Sequence, residues 1–450
     1  MIFNDTIAAI STPRGTGGVA IIRISGENSR EICSKIFKGK KSVNDFTPYL
    51  MEYGSILDLD GNLIDKVLCV YMKKGASYTG EDTVEIHCHG GYFVSEKILE
   101  TVISAGARPA LPGEFTKIAF LNGKMDLSQA EAVIDLINSK TNEELSEAVN
   151  RVDGVLSKKI NDIRNIILDI TAQVLVIADY PEEDIDYTKK NELLSLISEI
   201  KEKISFLIKT ADKGTFLKEG ISLALIGRPN TGKSSIMNVL SGENRAIVTD
   251  LPGTTRDVLE CAVNINGFTV RIFDTAGIRE AEGLVEKIGI DKSKEYLNKA
   301  DVCVMVLDSS DITDEDFKIL ESAEGKRLII AVNKTDLCMK EFKHSAPVVY
   351  VSAKEKEGFN ELKSEIIRIV TGDDVFSDEK VLITNLRQKE ALIRALENIN
   401  GAISTLENDF PVDMVAGDLE NAAYCLGEIT GMTVTDEIID RIFSKFCLGK

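Results

Sequence analysis

The sequence predicts a multidomain protein of mixed α+β and α/β class, in which a helical domain is interrupted by an inserted parallel sheet. Residues 1–119 mix short strand-like runs with a helix-like stretch. Apolar residues at helical spacing fill 120–217 and return over 373–450, whereas strand-like runs alternate with helices over 218–372. We therefore expect an α+β domain, two parts of one all-α domain, and a doubly wound insert with these boundaries.

Composition places the chain among soluble globular proteins. Of its 450 residues, 44% are hydrophobic and 28% are charged, and no apolar run approaches the ~20 residues of a membrane span. The first residues lack a basic start and an apolar core, so we expect no signal peptide. Eight cysteines without a CxxC pair and three histidines favour a reduced, cytoplasmic protein without a disulfide framework or zinc site.

The N-terminal segment contains charges within its predicted strands. The runs "GGVAIIRISG", "KVLCVYMKKG" and "DTVEIHCHGG" predict strands, and "SEKILETVISAG" predicts a helix. Arg23 and Glu85 interrupt two of these strands, and a charge in such a run usually has a partner. A structural ion pair and a ligand-binding role both remain open. The stretch "RGTGG" (14–18) precedes its strand, so we interpret it as a loop.

The helical and inserted segments follow different patterns. Helical spacing begins at Ser128, is interrupted by a predicted loop "PEEDIDYTKKN" (181–191), and resumes to about Leu217. The insert then contains the strand-like runs "ISLALIG", "CAVNINGFTVRIFD", "DVCVMVLDSS", "RLIIAVNKTD" and "PVVYVSAK". Asn266-Gly267 predicts a tight hairpin, which makes one edge strand antiparallel.

A phosphate-binding motif lies at the start of the insert. "GRPNTGKSS" (227–235) fits G-x-x-x-x-G-K-[ST], follows a predicted strand and precedes a predicted helix. Its glycines allow backbone N–H groups to face phosphates, Lys233 can reach the β and γ oxygens, and Ser234 can bind Mg²⁺. A plain glycine turn is the alternative.

Three further motifs exclude that alternative. "DTAG" (274–277), "NKTD" (333–336) and "SAK" (352–354) each follow an apolar strand, where ligands of such sheets bind. Asp274 can hold Mg²⁺ through water, and Asp336 can accept from the amino and imino N–H groups of guanine. The sequence therefore predicts a guanine-nucleotide site.

The catalytic group for water is not evident from the motifs. Ile278 stands where Ras-type enzymes have the glutamine that orients the attacking water. Asn230 could bind a monovalent cation through its amide oxygen, which would supply positive charge. Among the carboxylates after DTAG, Glu280, Glu282 and Glu286 all remain candidates.

Longer motifs carry a resemblance to a known family. They are "VTDLPGTTRD" (248–257), "DTAGIRE" (274–280), "GEDTVEIHCHGG" (80–91), "PGEFTKIAFLNGKMDLSQAEA" (112–132) and the terminal "CLGK". Over its whole length the chain resembles the bacterial tRNA-modification GTPases of the MnmE family, also called TrmE. The resemblance implies a Ras-like P-loop GTPase insert and an N-terminal domain for folate binding and dimerisation.

The resemblance also implies cofactors and partners. It implies a homodimer that binds a 5-formyl- or methylene-tetrahydrofolate derivative, and a heterotetramer with the FAD-dependent protein MnmG. Together these add a carboxymethylaminomethyl or aminomethyl group to carbon 5 of the wobble uridine of certain tRNAs, with GTP hydrolysis that depends on K⁺ and Mg²⁺. Because the net charge is −19, we expect the partner to provide most of the tRNA affinity.

Site residues are implied by the same motifs. The GTP-binding set is Asn230, Thr231, Gly232, Lys233, Ser234, Ser235, Thr249, Thr255, Asp274, Thr275, Ala276, Gly277, Asn333, Lys334, Asp336, Ser352, Ala353 and Lys354. The resemblance implies K⁺ ligands at Asn230, Thr249, Leu251 and Thr254, and Mg²⁺ ligands at Ser234 and Thr255. Catalytic roles are implied for Lys233, for Glu286, which orients water, and for Cys447. The implied folate contacts are Arg23, Glu85, Lys124 and Lys450; Lys124 otherwise has the pattern of an ordinary turn lysine.

The terminal "CLGK" has two interpretations. It is a poor prenylation box, because glycine and lysine are unfavourable there and no polybasic run precedes it. Ile439, Phe443 and Cys447 at four-residue spacing predict a half-buried packing cysteine, with Gly449 as a helix stop. The resemblance implies instead that Cys447 and the terminal lysine reach the folate pocket.

A regulatory or ribosome-assembly GTPase switch is the alternative function. It shares the phosphate loop, DTAG and NKTD, but it predicts a basic RNA-binding appendage in place of the N-terminal domain. The net charge of −19 disfavours such an appendage.

Overall fold

The computed structural model describes residues 5–179, 187–243, 260–274, 300–323, 325–338, 341–372, 383–408 and 410–449. The chain divides into two compact units, one from residues 1–134 with 430–450 and the other from 135–429. Both the α+β and the α/β class predicted from the sequence are present, together with the long helices. The segment boundaries after residues 119, 217 and 372 stay predictions.

The strands of the described residues are, in chain order, β1 (Ile7–Ile10), β2 (Val19–Ser25), β3 (Phe37–Gly39), β4 (Met51–Leu57), β5 (Leu63–Met72), β6 (Thr83–His89), β7 (Arg108–Pro109), β8 (Ile221–Ile226), β9 (Glu260–Ile265), β10 (Phe268–Asp274), β11 (Val302–Asp308), β12 (Leu328–Asn333) and β13 (Val348–Tyr350). The helices are α1 (Ser29–Ile36), α2 (Tyr92–Ser104), α3 (Glu114–Leu121), α4 (Leu127–Asn138), α5 (Asn142–Val152), α6 (Val155–Asp179), α7 (Tyr187–Glu219), α8 (Lys233–Glu243), α9 (Asp314–Ser322), α10 (Phe359–Thr371), α11 (Leu386–Glu407), α12 (Val412–Thr430) and α13 (Asp436–Phe443). In this part of the chain, each helix is either too short or not apolar enough to cross a membrane.

A seven-stranded sheet forms the centre of the first unit. Its order is β3-β4-β5-β6-β2-β1-β7, and all neighbours are antiparallel except β1 and β7. Because side chains alternate between the faces of a strand, Ile22, Ile24 and Ile86 point into the core that α1 and α2 cover. Arg23 and Glu85 pair directly across β2 and β6 and therefore share the opposite face.

The C-terminal helix of this unit ends earlier than the sequence predicts. Helix α13 stops at Phe443, and the next buried side chain is that of Phe446, whereas Cys447 is exposed. The interpretation of Cys447 as a half-buried packing residue is therefore wrong. The four-residue spacing on which it depends holds for Ile439 and Phe443 but ends with the helix.

Two glycines let the tail approach its own unit closely. Gly449 has a φ of 90°, and a Cβ there would lie 2.2 Å from the carbonyl oxygen of Ile10 in β1. At Gly113, with a φ of 69°, a Cβ would lie 2.4 Å from the carbonyl oxygen of Phe443. Gly449 is thus required for close packing and is not the helix stop that the sequence predicts.

The second unit contains the long helices and a second sheet. Buried aliphatic side chains of α6, α7, α11 and α12 form one core, as the helical spacing predicts. Helix α7 begins at Tyr187, inside the segment predicted as a loop, so that loop prediction is too long. The second sheet has the order β13-β12-β11-β8-β10-β9 and is parallel except between β9 and β10.

The predicted hairpin joins β9 to β10. Ile265 pairs with Phe268, and the two turn residues Asn266 and Gly267 have φ angles of 48° and 90°. Left-handed values at both positions are typical of the tight turn that Asn-Gly favours. The antiparallel edge strand predicted from this pair is confirmed.

Candidate functional site

The phosphate loop connects β8 to α8 through residues 227–232. A Cβ on Gly227 would lie 2.4 Å from the carbonyl oxygen of Val306, and one on Gly232 would lie 2.1 Å from Nδ2 of Asn333. Asn230 has a φ of 64°, in the left-handed region. Helix α8 starts at Lys233, followed by Ser234 and Ser235, so its first N–H groups lie at the end of this loop. Such a helix start favours the binding of phosphate.

Lys233 is held at the centre of the loop. Its Nζ donates to the carbonyl oxygens of Gly227 (2.9 Å) and Arg228 (2.6 Å), and the residue is 5% exposed. Thr231, which is 1% exposed, donates through Oγ1 to the same carbonyl of Arg228 at 3.0 Å. The backbone of Arg228 therefore fixes both side chains, and the buried ammonium group is placed to bind phosphate oxygens.

The side chain of Arg228 fastens the loop to helix α9. Its Nε lies 2.9 Å from both carboxylate oxygens of Asp316, which is buried, and its Nη2 lies 3.3 Å from Oδ2 of Asp311. Asp316 also accepts from the backbone N–H of Thr313 at the start of α9, which fixes the carboxylate. Both acids raise the pKa of Arg228, with the hydrogen bond to Asp316 as the main cause. Sequence reasoning missed this pair.

The base-recognition motifs meet behind the phosphate loop. Asn333 donates through Nδ2 to the carbonyl oxygen of Thr231 at 2.9 Å, and its Oδ1 accepts from the backbone N–H of Ala353 at 3.1 Å. Ser352 donates to Oδ1 of Asp336 at 2.8 Å, while Nζ of Lys354 lies 3.8 Å from Oδ2. The hydrogen bond from Ser352 is the main cause that lowers the pKa of Asp336, so its carboxylate is charged at neutral pH. NKTD and SAK therefore form one site.

Lys334 has a partner that the motifs do not reveal. Its ammonium pairs with the carboxylate of Asp308 at the end of β11, and its carbonyl oxygen accepts from Ser309 Oγ at 2.9 Å. Burial raises the pKa of Asp308, but the hydrogen bonds from Lys334 and Ser310 outweigh it and hold this pKa below its ordinary value. Asp308 is the last residue of β11, the neighbour of β12. Its place at the end of the strand-like run "DVCVMVLDSS" is the sequence feature that could have indicated this pair.

Several predicted residues lie outside the described residues. They are Thr249, Leu251, Thr254, Thr255, Thr275, Ala276, Gly277, Glu286 and Lys450. Asp274 is described only as the last residue of β10, where its backbone pairs with Leu225 of β8. Of the residues predicted to bind Mg²⁺ or K⁺ or to orient water, the structure thus describes Asn230, Ser234 and the backbone of Asp274.

In the first unit, Arg23 and Glu85 form an ion pair. Nε of Arg23 lies 2.8 Å from Oε1 of Glu85, and the side chains are 16% and 13% exposed. The guanidinium also lies over the rings of Tyr78 (5.4 Å) and Phe115 (5.6 Å), and His87 Nε2 is 3.3 Å from the other oxygen of Glu85. Burial raises the pKa of Glu85, but hydrogen bonds from His87 and Arg23 hold it below its ordinary value.

The other predicted folate residues are placed less specifically. Lys124 is exposed in the turn before α4, and its Nζ donates to the carbonyl oxygen of Gly75 at 2.9 Å. Cys447 is exposed, and its carbonyl oxygen accepts from the N–H of Gly113 at 3.3 Å. The structure thus brings Arg23 and Glu85 together, and gives Lys124 only the contact expected of a turn lysine.

Comparison with known proteins assigns the family. Residues 127–447 match the family model "MnmE helical domain", and residues 6–124 match "GTP-binding protein TrmE N-terminus". The chain is 46% identical to a tRNA modification GTPase MnmE from Acetivibrio thermocellus and 45% identical to one from Clostridioides difficile, each over 100% of both chains. The chain belongs to the MnmE (TrmE) family. As a member of the MnmE family it is a GTPase that acts in tRNA modification. The resemblance predicted from the sequence is confirmed, and the ribosome-assembly alternative is not supported.

Solved GTPase structures resemble parts of the chain. The G domain of the Thermotoga maritima FeoB iron transporter is 29% identical, with a TM-score of 0.26, and covers 33% of this chain and 98% of its own. Aquifex aeolicus Era is 25% identical, with a TM-score of 0.28, and covers 40% of this chain and 66% of its own. At such TM-scores these likenesses support no further conclusion about this MnmE-family chain.

Proposed function

We propose that this chain is a K⁺-dependent GTPase that acts with an FAD-dependent MnmG-like protein on tRNA. Together they add a carboxymethylaminomethyl or aminomethyl group to carbon 5 of the wobble uridine, using a one-carbon unit from a tetrahydrofolate derivative. The proposal is supported by full-length relatives named tRNA modification GTPase MnmE. The observation that carries the GTPase part is the joined site of Lys233, Asn333 and Asp336.

In this proposal the second unit binds GTP and two cations. Ser234, next to the phosphate-binding Lys233 in α8, holds Mg²⁺ together with Thr255. Asn230 binds K⁺ together with Thr249, Leu251 and Thr254, and Glu286 orients the attacking water. Bound by these residues, the two cations would supply positive charge to offset the charge on the phosphoryl oxygens during hydrolysis. Asn230 lies in the middle of the phosphate loop, and its backbone is in the left-handed region.

The folate part depends on the first unit. Arg23 and Glu85 offer a charged donor and a charged acceptor beside the rings of Tyr78 and Phe115, a combination suited to a flat, polar pterin ring. The same pair also serves as an ion pair, so ligand binding here competes with an existing contact. Lys124 and Lys450 complete the proposed folate set, and Cys447 is proposed to act in the chemistry.

The proposed partners are inferred from the net charge of the chain and from its family. A net charge of −19 disfavours tight binding of a polyanion by this chain alone, so the MnmG-like partner provides most of the tRNA affinity. The proposed assembly is a homodimer through the N-terminal domains, joined by the partner into a heterotetramer in the cytoplasm. Tight tRNA binding without the partner would contradict this division.

The wobble-uridine proposal is tested by nucleoside analysis of bulk tRNA. A strain that lacks its own MnmE-family gene is complemented with the wild-type chain or with Lys233→Ala. We expect the carbon-5 modification to return with the wild type only. Unchanged uridine in the complemented strain would contradict the proposal.

The folate proposal is tested by calorimetric titration of 5-formyl-tetrahydrofolate. Arg23→Gln should weaken binding by about tenfold or more, because a charge-assisted hydrogen bond contributes about 1.5–3 kcal/mol. Arg30→Gln is the matched control, since Arg30 also lies over an aromatic ring, that of Tyr71 at 4.6 Å. Equal losses in both variants would indicate a structural effect.

A further inference from the structure

The β9–β10 hairpin packs against helix α5. Thr269, which is 5% exposed, donates through Oγ1 to Oε1 of Glu144 at 3.0 Å. At the turn, a Cβ on Gly267 would lie 2.4 Å from Cδ of Glu143. The hairpin thus contacts the start of α5 through one specific hydrogen bond and through the close approach of Gly267 to the side chain of Glu143.

Glu144 is fixed by its own helix. It is the third residue of α5, and its N–H donates to Oγ1 of the capping residue Thr141 at 3.1 Å. Its Oε2 accepts from the backbone N–H of Lys140 at 2.6 Å, which leaves Oε1 for Thr269. The hydrogen bond from Lys140 orients the carboxylate, and the bond to Thr141 fixes the backbone that carries it, so the hairpin receives an acceptor of fixed position.

The same hairpin contacts the end of α7. Arg271 of β10 donates through Nη2 to the carbonyl oxygen of Glu219 at 3.0 Å. A Cβ on Gly220, which has a φ of 80°, would lie 2.7 Å from the carbonyl oxygen of Thr269. Two helices that precede the GTPase segment in the chain thus hold one hairpin of its sheet.

In the chain, the β9–β10 hairpin lies between two motifs of the GTPase segment. β9 directly follows the segment that contains "VTDLPGTTRD", and β10 leads directly into "DTAG". In GTPases, segments of these two kinds respond to the γ-phosphate. We propose that Thr269 and Glu144 are positioning residues that transmit the nucleotide state of the GTPase segment to the helical segment. This inference rests on the GTPase activity and does not depend on folate or K⁺.

Hydrogen exchange in the full chain tests the proposal. We expect exchange within α5 to differ between the complexes with GDP and with a non-hydrolysable GTP analogue. In Thr269→Val, which removes the donor but keeps the shape, this difference should shrink by about fivefold, a size common for coupling between sites. Affinity for a fluorescent GDP and the rate of GTP hydrolysis should stay within about twofold of wild type, since the hydrogen bonds of these two side chains go to each other and to Lys140 and not to the described residues of the nucleotide site.

Control variants separate coupling from stability. Thr269→Ser should restore the response, because it keeps the hydroxyl group. Thr371→Val removes a similar part-buried hydroxyl, which donates to the carbonyl oxygen of Ile367 in α10, and should leave the response intact. If Thr269→Val does not fold, Glu144→Asp withdraws the acceptor while keeping the charge and should show the same loss.

Two results would overturn the proposal. One is a nucleotide-dependent difference in α5 exchange that is as large in Thr269→Val as in the wild type. The other is wild-type exchange in α5 that is the same with GDP and with the GTP analogue. Failure of the GTPase assignment itself would be distinguishable, because the wild-type chain would then bind no fluorescent GDP.

Discussion

The side-chain nitrogen of Asn333 lies 2.9 Å from the carbonyl oxygen of Thr231 and donates to it. Its oxygen accepts from the N–H of Ala353, and Asn333 is only 2% exposed. Buried hydrogen bonds of this kind hold their partners in fixed geometry. Asn333 therefore joins the phosphate loop, the NKTD motif and the SAK motif into one hydrogen-bonded frame.

Base selectivity should depend on the Asp336 carboxylate. Asp336→Asn replaces an acceptor by a donor toward the amino and imino groups of guanine, so GDP affinity should fall by about tenfold or more. XDP affinity should rise, because xanthine has a carbonyl oxygen where guanine has its amino group. Fluorescent nucleotide titrations measure both, with the exposed Asp314→Asn in α9 as control. An unchanged GDP-to-XDP ratio would contradict the assignment.

The Arg228–Asp316 pair should control phosphate binding. Arg228→Lys keeps the charge but loses the fork that contacts Asp316 and Asp311, so the carbonyl that holds Lys233 loses its anchor. We expect GDP affinity and hydrolysis to fall by about three- to tenfold, since the effect reaches the phosphates only through the hydrogen bond to Lys233, and a typical hydrogen bond contributes about 0.5–1.5 kcal/mol. The GDP-to-IDP affinity ratio should not change, because the base site is untouched.

A surface pair provides the control for this experiment. Arg368 lies 2.6 Å from Glu365 on α10, so Arg368→Lys alters an exposed arginine–carboxylate pair outside the site. It should leave nucleotide binding as in wild type. A shift in the GDP-to-IDP ratio in Arg228→Lys would instead indicate a general loss of structure.

The features that the sequence predicts correctly are those set by residues close together in the chain. The Asn266-Gly267 turn and the loop ending at Lys233 depend on neighbouring residues, so their patterns are readable directly. The pair of Arg228 and Asp316 joins positions 88 residues apart, and only folding brings them together. Arg23 and Glu85 were partly predictable. A charge within a strand indicates that a partner exists, but the sequence alone does not show which residue the partner is.

The tail shows how a periodic pattern can mislead. Four-residue spacing through Ile439, Phe443 and Cys447 predicts one helical face, but the spacing alone does not say where the helix ends. Because α13 stops at Phe443, the chain no longer follows helical spacing beyond it. Phe446 is therefore the next buried side chain, and Cys447 is exposed. Helix ends depend on tertiary contacts such as the close approach to Gly113, which the sequence does not display.

GTP hydrolysis should depend on potassium through Asn230. We expect K⁺ to accelerate hydrolysis well beyond Na⁺, and Asn230→Ala to abolish the difference because the amide oxygen is lost. Asn230→Gly is the control for backbone strain, since a φ of 64° is unfavourable for alanine but not for glycine. Phosphate release in matched KCl and NaCl buffers measures the effect. Equal wild-type rates in the two salts would remove the basis for the K⁺ site.

Glu286 should affect the rate without affecting binding. Glu286→Gln removes the proposed orienting group for water, which matters in the transition state and little in the ground state. Single-turnover hydrolysis should slow by about a hundredfold, a typical loss when one preorganised polar group of a catalytic site is removed, while GTP affinity stays nearly unchanged. If Glu280→Gln or Glu282→Gln shows this behaviour instead, the assignment to Glu286 is wrong.

The C-terminal tail packs closely against β1, where Gly449 meets the backbone of Ile10. Deletion of residues 447–450 should leave nucleotide binding and hydrolysis near wild type, because the nucleotide site belongs to the other unit. Folate affinity, measured by titration, should fall by about fivefold or more, since a charge-assisted hydrogen bond is worth about 1–3 kcal/mol. Wild-type folate affinity in the deletion would exclude a folate role for the tail.

Single substitutions then separate the parts of the tail. Gly449→Ala forces a side chain against Ile10 and should weaken folate binding as the deletion does, if the position of the tail matters. Cys447→Ser should leave the melting temperature unchanged, because Cys447 is exposed. If the thiol acts in the chemistry, wobble-uridine modification stops in Cys447→Ser while folate binding survives. Full modification in that variant would leave Cys447 without a catalytic role.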